Sequence, residues 1–155
     1  MPPLEQWIVF ALDQDKNLVQ NFIRTLKDSV TTFNIFTKEP KVVLIKSRSY
    51  AEWDEVIREH LTSHFIAAIL IIPGRKGFGN QLYEDLKKLL VQDIPVPSQM
   101  ILAQTIDRAK AALYSVTNRT MMQLCAKIGG EPWAIDELPF FYQCSMAAGY
   151  YVTND

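Results

Sequence analysis

Tyr83 and Lys87 stand four residues apart, and so do Gln123 and Lys127. On a helix that spacing puts both members of each pair on one face. A ring beside an ammonium group suits a phosphorylated ligand that also carries a stackable base. Each residue has an ordinary reading too: a tyrosine at helical spacing commonly covers a core, and a lysine near a helix C-terminus is favourable in itself. The segment ahead of Tyr83, Pro73 to Asn80, holds three glycines, two basic side chains and Phe78. It leads into a helix start, where unpaired N–H groups and the positive end of the dipole attract anions. No Gly-Lys-Ser/Thr closes it, so it is not a Walker A loop, and Gly77-x-Gly79 lacks the third glycine of a dinucleotide fingerprint. An ordinary flexible turn would have the same composition.

Catalysis finds little support. His60 and His64 are four apart, but no glutamate completes an HExxH arrangement. Asp13 and Asp15 end an apolar run, a position that metal-binding receiver domains also use; the phosphoacceptor aspartate and late lysine of such a site are missing. Ser115, Ser145, Cys125 and Cys144 have no partners recognisable as a triad. The expectation is a binding domain with no catalytic residue.

Hydrophobic residues make up 48% of the chain and charged ones 21%, enough apolar material for a core and too much for global disorder. The 155 residues fit a single domain. Sixteen basic against seventeen acidic side chains exclude a coat of positive charge but leave room for a local patch. Two cysteines are too few for a zinc cluster or a disulfide scaffold, so a reducing compartment is expected. The apolar run Phe65 to Pro73 is about half the roughly 20 residues of a membrane helix. The first residues form no secretory signal. A soluble intracellular domain, in cytoplasm or nucleus and without a membrane partner, is expected.

The elements that must position these residues follow from hydrophobic periodicity. Trp7–Leu12, Lys41–Ser47, Phe65–Ile72 and Gln99–Thr105 read as strands, the third without any alternation, as in a strand covered on both faces. Asp15–Phe33, Tyr50–Leu61, Gln81 to about Val91, and roughly Lys110–Lys127 read as helices. Ser49 and Asn80 are candidate N-caps, and Gly129-Gly130 stands where a left-handed C-cap belongs. No helical period runs through residues 131–155. The order βαβαβαβα predicts an α/β, Rossmann-like fold: a four-stranded parallel sheet flanked by helices on both faces. In such a sheet the ligand is expected at the carboxyl ends of the strands.

Four blocks carry a resemblance: Ile71-Ile72-Pro73-Gly74, Tyr83-x-x-x-Lys87, Pro95-Val96-Pro97-Ser98-Gln99, and Lys127-Ile128-Gly129-Gly130-Glu131-Pro132-Trp133. In this order they resemble the MID domain of Argonaute proteins, closer to the Piwi branch. The resemblance extends over almost the whole chain, the N-terminal third matching only in pattern. It implies a single MID-like domain over 1–155, with a core of about 5–133 and a tail, 134–155, leading toward a PIWI domain absent from this chain.

The implied function is anchoring the 5′-phosphorylated terminal nucleotide of a small guide RNA for RNA-mediated gene silencing, piRNA in the Piwi branch. By the resemblance Tyr83 stacks on the first base, and Lys87, Gln99, Gln123 and Lys127 hold the 5′-phosphate. Gln123 falls where many Argonautes have a lysine, which points to a Mg²⁺-assisted phosphate site; no metal ligand is assigned. Gly74, Arg75, Lys76, Gly77, Phe78, Gly79 and Asn80 correspond to the nucleotide-specificity loop. The implied partners are the guide RNA and the PIWI domain and other lobes of a parent protein, with the chain itself a monomer. Near the end, Gly149 to Asp155 resembles the first PIWI strand. Tyr151 falls where the family has an aspartate, which implies either a parent that does not slice or a different register. The chain then reads as an excised domain. Two rivals stand beside this reading: a degenerate protein-interaction module of an Argonaute-like protein, and a small receiver-like α/β domain.

Overall fold

Uninterrupted apolar runs become the two central strands. In the computed structural model, which describes residues 3–32, 35–74 and 81–133, β1 (Trp7–Leu12) and β3 (Ala67–Ile72) are buried at every position. They are flanked by β2 (Lys41–Ile45) and β4 (Ser98–Leu102), giving a parallel sheet in the order β2-β1-β3-β4. The register pairs Val9 with Val42 and Ile69, and Ile69 with Gln99.

Because side chains alternate along a strand, each central strand feeds two cores. Trp7, Val9 and Ala11 with Ile69 and Ile71 pack under α1 (Lys16–Thr32), α4 (Ala103–Ala109) and α5 (Leu113–Lys127). Ile8, Phe10 and Leu12 with Leu70 and Ile72 pack under α2 (Tyr50–His60) and α3 (Gln81–Lys88). Full burial of each such aliphatic side chain is worth about 1.5–3 kcal/mol. The two largest buried side chains are also polar-satisfied: Trp7 Nε1 donates to Lys38 O at 2.8 Å and Trp53 Nε1 to Ser47 O at 3.2 Å.

The α/β, four-stranded parallel architecture agrees with the expectation; several boundaries do not. The run Gln99–Thr105 is a strand only from Ser98 to Leu102, after which the chain turns at once into α4. The single helix expected over Lys110–Lys127 is preceded by α4 and a 3₁₀ turn, Lys110–Ala112. Lys110 marks the break, with a φ of 37° that an L side chain rarely adopts. α3 ends at Lys88 and continues as one π-helical turn, Leu89–Asp93, closed by Ile94 N donating to Leu89 O at 2.9 Å. α1 begins at Lys16 after a 3₁₀ turn, Asp13–Asp15, and β3 begins at Ala67, so His64 precedes it. Ser49 occupies the N-cap of α2 without a side-chain cap bond. Glu52, in the first turn, instead accepts from Lys46 N at 3.0 Å.

Gly129-Gly130 does close α5 as expected. Gly129 has φ 82°, Gly130 N donates to Cys125 O at 2.9 Å, and Gly129 N to Ala126 O at 3.3 Å. This is a Schellman motif. Asn80 as a cap, loop residues Arg75, Lys76, Gly77, Phe78 and Gly79, and the tail with Tyr151 lie outside the described residues. No described helix is long and apolar enough to cross a membrane.

Candidate anion-binding site

α3 buries Leu86 and, through the π-helical turn, Leu89 and Leu90. That leaves Tyr83 and Lys87 on its outer face, Tyr83 at 41% exposure. Tyr83 is therefore no core tyrosine. Gly74, at φ 142°, leaves β3 in a backbone region that glycine favours. On the opposite face of the sheet, α5 buries Thr117, Met121, Leu124 and Cys125, leaving Gln123 and Lys127 outward.

Lys127 is the centre of the arrangement. Its Nζ donates to Ser98 O at 2.6 Å and to Gln99 Oε1 at 2.8 Å, which ties the last turn of α5 to the first two residues of β4. An ammonium group has three donors, so one is left for a ligand. Among the described residues Gln99 Nε2 makes a long contact, 3.4 Å, to Met100 O, which leaves its amide N–H groups available as well. Burial first, and then the positive charge of Lys87, push the proton affinity of Lys127 below the ordinary lysine range. Two cations from different helices thus share one field. Among the described residues the ion pairs use Lys27, Lys38 and Arg58, and no carboxylate lies within ion-pair distance of Lys87 or Lys127. Such a pair gains from an anion between its members.

A cavity of about 760 Å³ opens beside Lys127 and is also lined by Gln99, Gln123, Asn118, Arg119 and Trp133. Three of the residues singled out in the sequence, Gln99, Gln123 and Lys127, therefore meet in one place. Lys87 joins them through its charge, while Tyr83 lies one turn earlier on α3. Asn118 and Arg119 were not anticipated. Arg119 could have been found by continuing the Gln123–Lys127 spacing one step back along α5. Asn118 could not: its Oδ1 is buried and has no hydrogen-bond partner among the described residues, a fact of packing that no sequence pattern carries.

The location departs from the rule for open α/β sheets. Ser98 and Gln99 are the first residues of β4, so the polar cluster sits at the amino end of that strand, not at the carboxyl end. The reason is topological. β4 is an edge strand, and beyond its amino end helices from opposite faces can bring side chains together. Among the described residues no three His, Cys, Asp or Glu side chains are grouped to hold a metal.

A parallel sheet of this order with two helical layers and a polar cluster at the β4 edge defines a Rossmann-like α/β class of domain. Comparison with known proteins narrows it. No protein-family model matches the chain. The chain is 26% identical over 135 residues to Piwi-like protein Ago3 of Bombyx mori, covering 87% of this chain and 14% of that protein. It is 26% identical over 153 residues to Piwi-like protein Siwi of the same species, covering 98% and 16%. Its fold matches that of Drosophila Piwi at a TM-score of 0.76, with 20% identity over 87% of this chain and 18% of that one. It also matches the Arabidopsis thaliana AGO5 MID domain at 0.64, with 17% identity over 83% and 91%. The fold is that of the Argonaute MID domain, and in sequence the chain is similar to proteins of the Piwi branch. It spans 14% and 16% of the two curated relatives named here.

Proposed function

We propose that this domain binds the 5′-phosphorylated end of a small guide RNA, within the silencing machinery to which its Argonaute relatives belong. The observation that carries the reading is Lys127, tied to Ser98 O and Gln99 Oε1 with one donor to spare in a cavity shared with Gln99 and Gln123. The charge of Lys87 adds to its field, and no carboxylate lies within ion-pair distance of either lysine among the described residues. A terminal phosphate carries about −1.5 to −2 charges at neutral pH, and two ammonium groups with the Gln99 amide balance it without making the domain basic overall. Gln123, uncharged on the same wall, supplies an amide where a third cation would over-compensate. It also leaves room for a Mg²⁺ ion brought in with the phosphate. Tyr83 offers its ring to the first base, and the segment from Gly74 to Asn80 reads the edge of that base. The arrangement binds and orients; no described group is set to make or break a bond. In a longer parent protein the PIWI domain and the other lobes would be its neighbours.

The test is competition between two otherwise identical RNA oligonucleotides, one with a 5′-phosphate and one with a 5′-hydroxyl, for the folded domain in the presence of Mg²⁺. Preference for the phosphorylated end by tenfold or more is expected. Equal affinity for the two ends overturns the proposal.

A further inference from the structure

The sheet has a second edge, which the anion site does not use. β2 stands at the opposite end of the strand order from β4, and among the described residues it pairs with β1 alone, from Lys41 beside Ile8 to Ile45 beside Leu12. Its outward N–H and C=O groups meet no strand there. Three strand spacings, about 14 Å, separate this edge from β4. An open edge is a template for another extended chain, and a lysine held out along it is the ordinary defence. Lys41 does not serve that way, because its ammonium group lies over the Phe65 ring, 5.9 Å from the centroid. Val43 and Ile45 enter the core under α2, so by alternation Val42 faces the α1 side, where it stays 42% exposed.

Beside Val42 lies a cavity of about 340 Å³ between the strand and α1, to which Ile23 and Pro40 add apolar surface and Arg24, Lys27 and Asp28 add charge. Glu39, on the same wall, is paired with Lys27. Arg24 donates to the neutral Asn21 Oδ1 at 2.8 Å. Arg24, Lys46 and Arg48 are exposed, and among the described residues none has a carboxylate within ion-pair distance. From Lys38 to Arg48 the chain carries four basic side chains and one acidic one, although its formal net charge is −1. We propose that β2 takes an added strand from a partner protein: an extended segment with acidic residues at its ends and an apolar side chain seated in the cavity beside Val42. Main-chain hydrogen bonds along the edge supply affinity in this mode of recognition, and the cavity and the cations supply selectivity. A nucleic-acid strand would meet the cations, but it has no row of amides to offer the open backbone groups.

The experiment titrates the chain with a fluorescein-labelled peptide, Glu-Glu-Thr-Val-Thr-Val-Thr-Glu-Glu. Two controls accompany it: the same peptide with lysine for every glutamate, and one with alternate backbone nitrogens methylated. The glutamate peptide is expected to bind about tenfold or more tighter than either control, since one removes the charge match and the other the ladder. Amide resonances of β2 should shift on binding, together with those of α1 around Arg24. Val42→Lys and Arg24→Glu should each weaken the glutamate peptide about tenfold, one charge-assisted bond's worth for the latter. Both positions are exposed or at the rim of the fold, so the midpoint of urea unfolding should stay where it is, which separates lost binding from lost structure. Absence of binding overturns the proposal. So does a lysine or methylated peptide that binds as well as the glutamate one, or full affinity retained in both variants. A 5′-hydroxyl RNA that displaces the peptide from β2 would overturn it in favour of a nucleic-acid surface. None of these outcomes bears on the terminal-phosphate reading, which concerns the other edge.

Discussion

Burial first, and then the charge of Lys87, depress the proton affinity of Lys127, although the two lysines belong to helices that cover opposite faces of the sheet. Helices in separate layers can interact in this way beyond the end of an edge strand. The edge strand β4 and the tie from Lys127 to Ser98 and Gln99 create the meeting point.

If both ammonium groups serve one phosphate, Lys87→Ala and Lys127→Ala should each weaken a 5′-phosphorylated RNA by about tenfold or more, at roughly 1.5–3 kcal/mol per charge-assisted bond. The 5′-hydroxyl RNA should change little. The double variant should lose less than the sum, because residues sharing a partner couple. Fluorescence anisotropy of the wild type and the three variants with both RNAs measures all the constants needed; simple additivity and equal losses on the two RNAs would speak for solvated surface lysines.

Tyr83→Ala should cost about 1–3 kcal/mol of binding for each nucleoside 5′-monophosphate, by a similar factor for all four, since every base has a π-face. Tyr83→Phe should retain most of the affinity. A folded alanine variant that binds normally would remove the ring from the site.

The lowered proton affinity of Lys127 has a sign that can be followed. Between the folded and the unfolded value the unfolded chain binds more protons, so stability of the ligand-free domain rises with pH across that window and is lost again as pH falls through the folded value. A bound phosphate opposes the Lys87 charge and raises the folded value. Binding on the alkaline side should therefore take up protons, measured as a dependence of the calorimetric heat on buffer ionisation enthalpy. Lys127→Ala should abolish it, and an undiminished uptake in that variant would show that another group titrates.

Gly129→Ala tests the closure of α5. A Cβ there would meet no atom of the described residues within 4 Å, so the cost is conformational, set by φ 82°. About 1–2 kcal/mol of stability should be lost, read from the midpoint of urea unfolding. Phosphate affinity should fall as well, because Lys127 lies in the turn that this cap fixes.

The central strands were legible because Trp7–Leu12 and Ala67–Ile72 are apolar without a break, and α5 was legible down to its glycine cap. What could not be read was the split at Lys110. Over Gln99–Thr105 a short strand and the start of a short helix have the same composition, and Ile106 is the one residue α4 buries. For the site, the pairs Tyr83–Lys87 and Gln123–Lys127 were visible as helical spacing, and Gln99 came through resemblance. Their convergence was not visible, because it depends on which strand ends at the edge. The general rule pointed to the other end of the sheet for the same reason.

Placing the site on an outer strand also decides how opening reaches it. β1 and β3, buried throughout, should exchange their amide hydrogens only when the whole domain unfolds, whereas β4 and the last turn of α5 can fray separately at lower free energy. A ligand clasped between Lys87, Gln99 and Lys127 would then slow exchange in those outer segments while leaving the centre of the sheet unchanged. Release of the strand could accompany a local detachment of β4 from α5, with the rest of the fold intact.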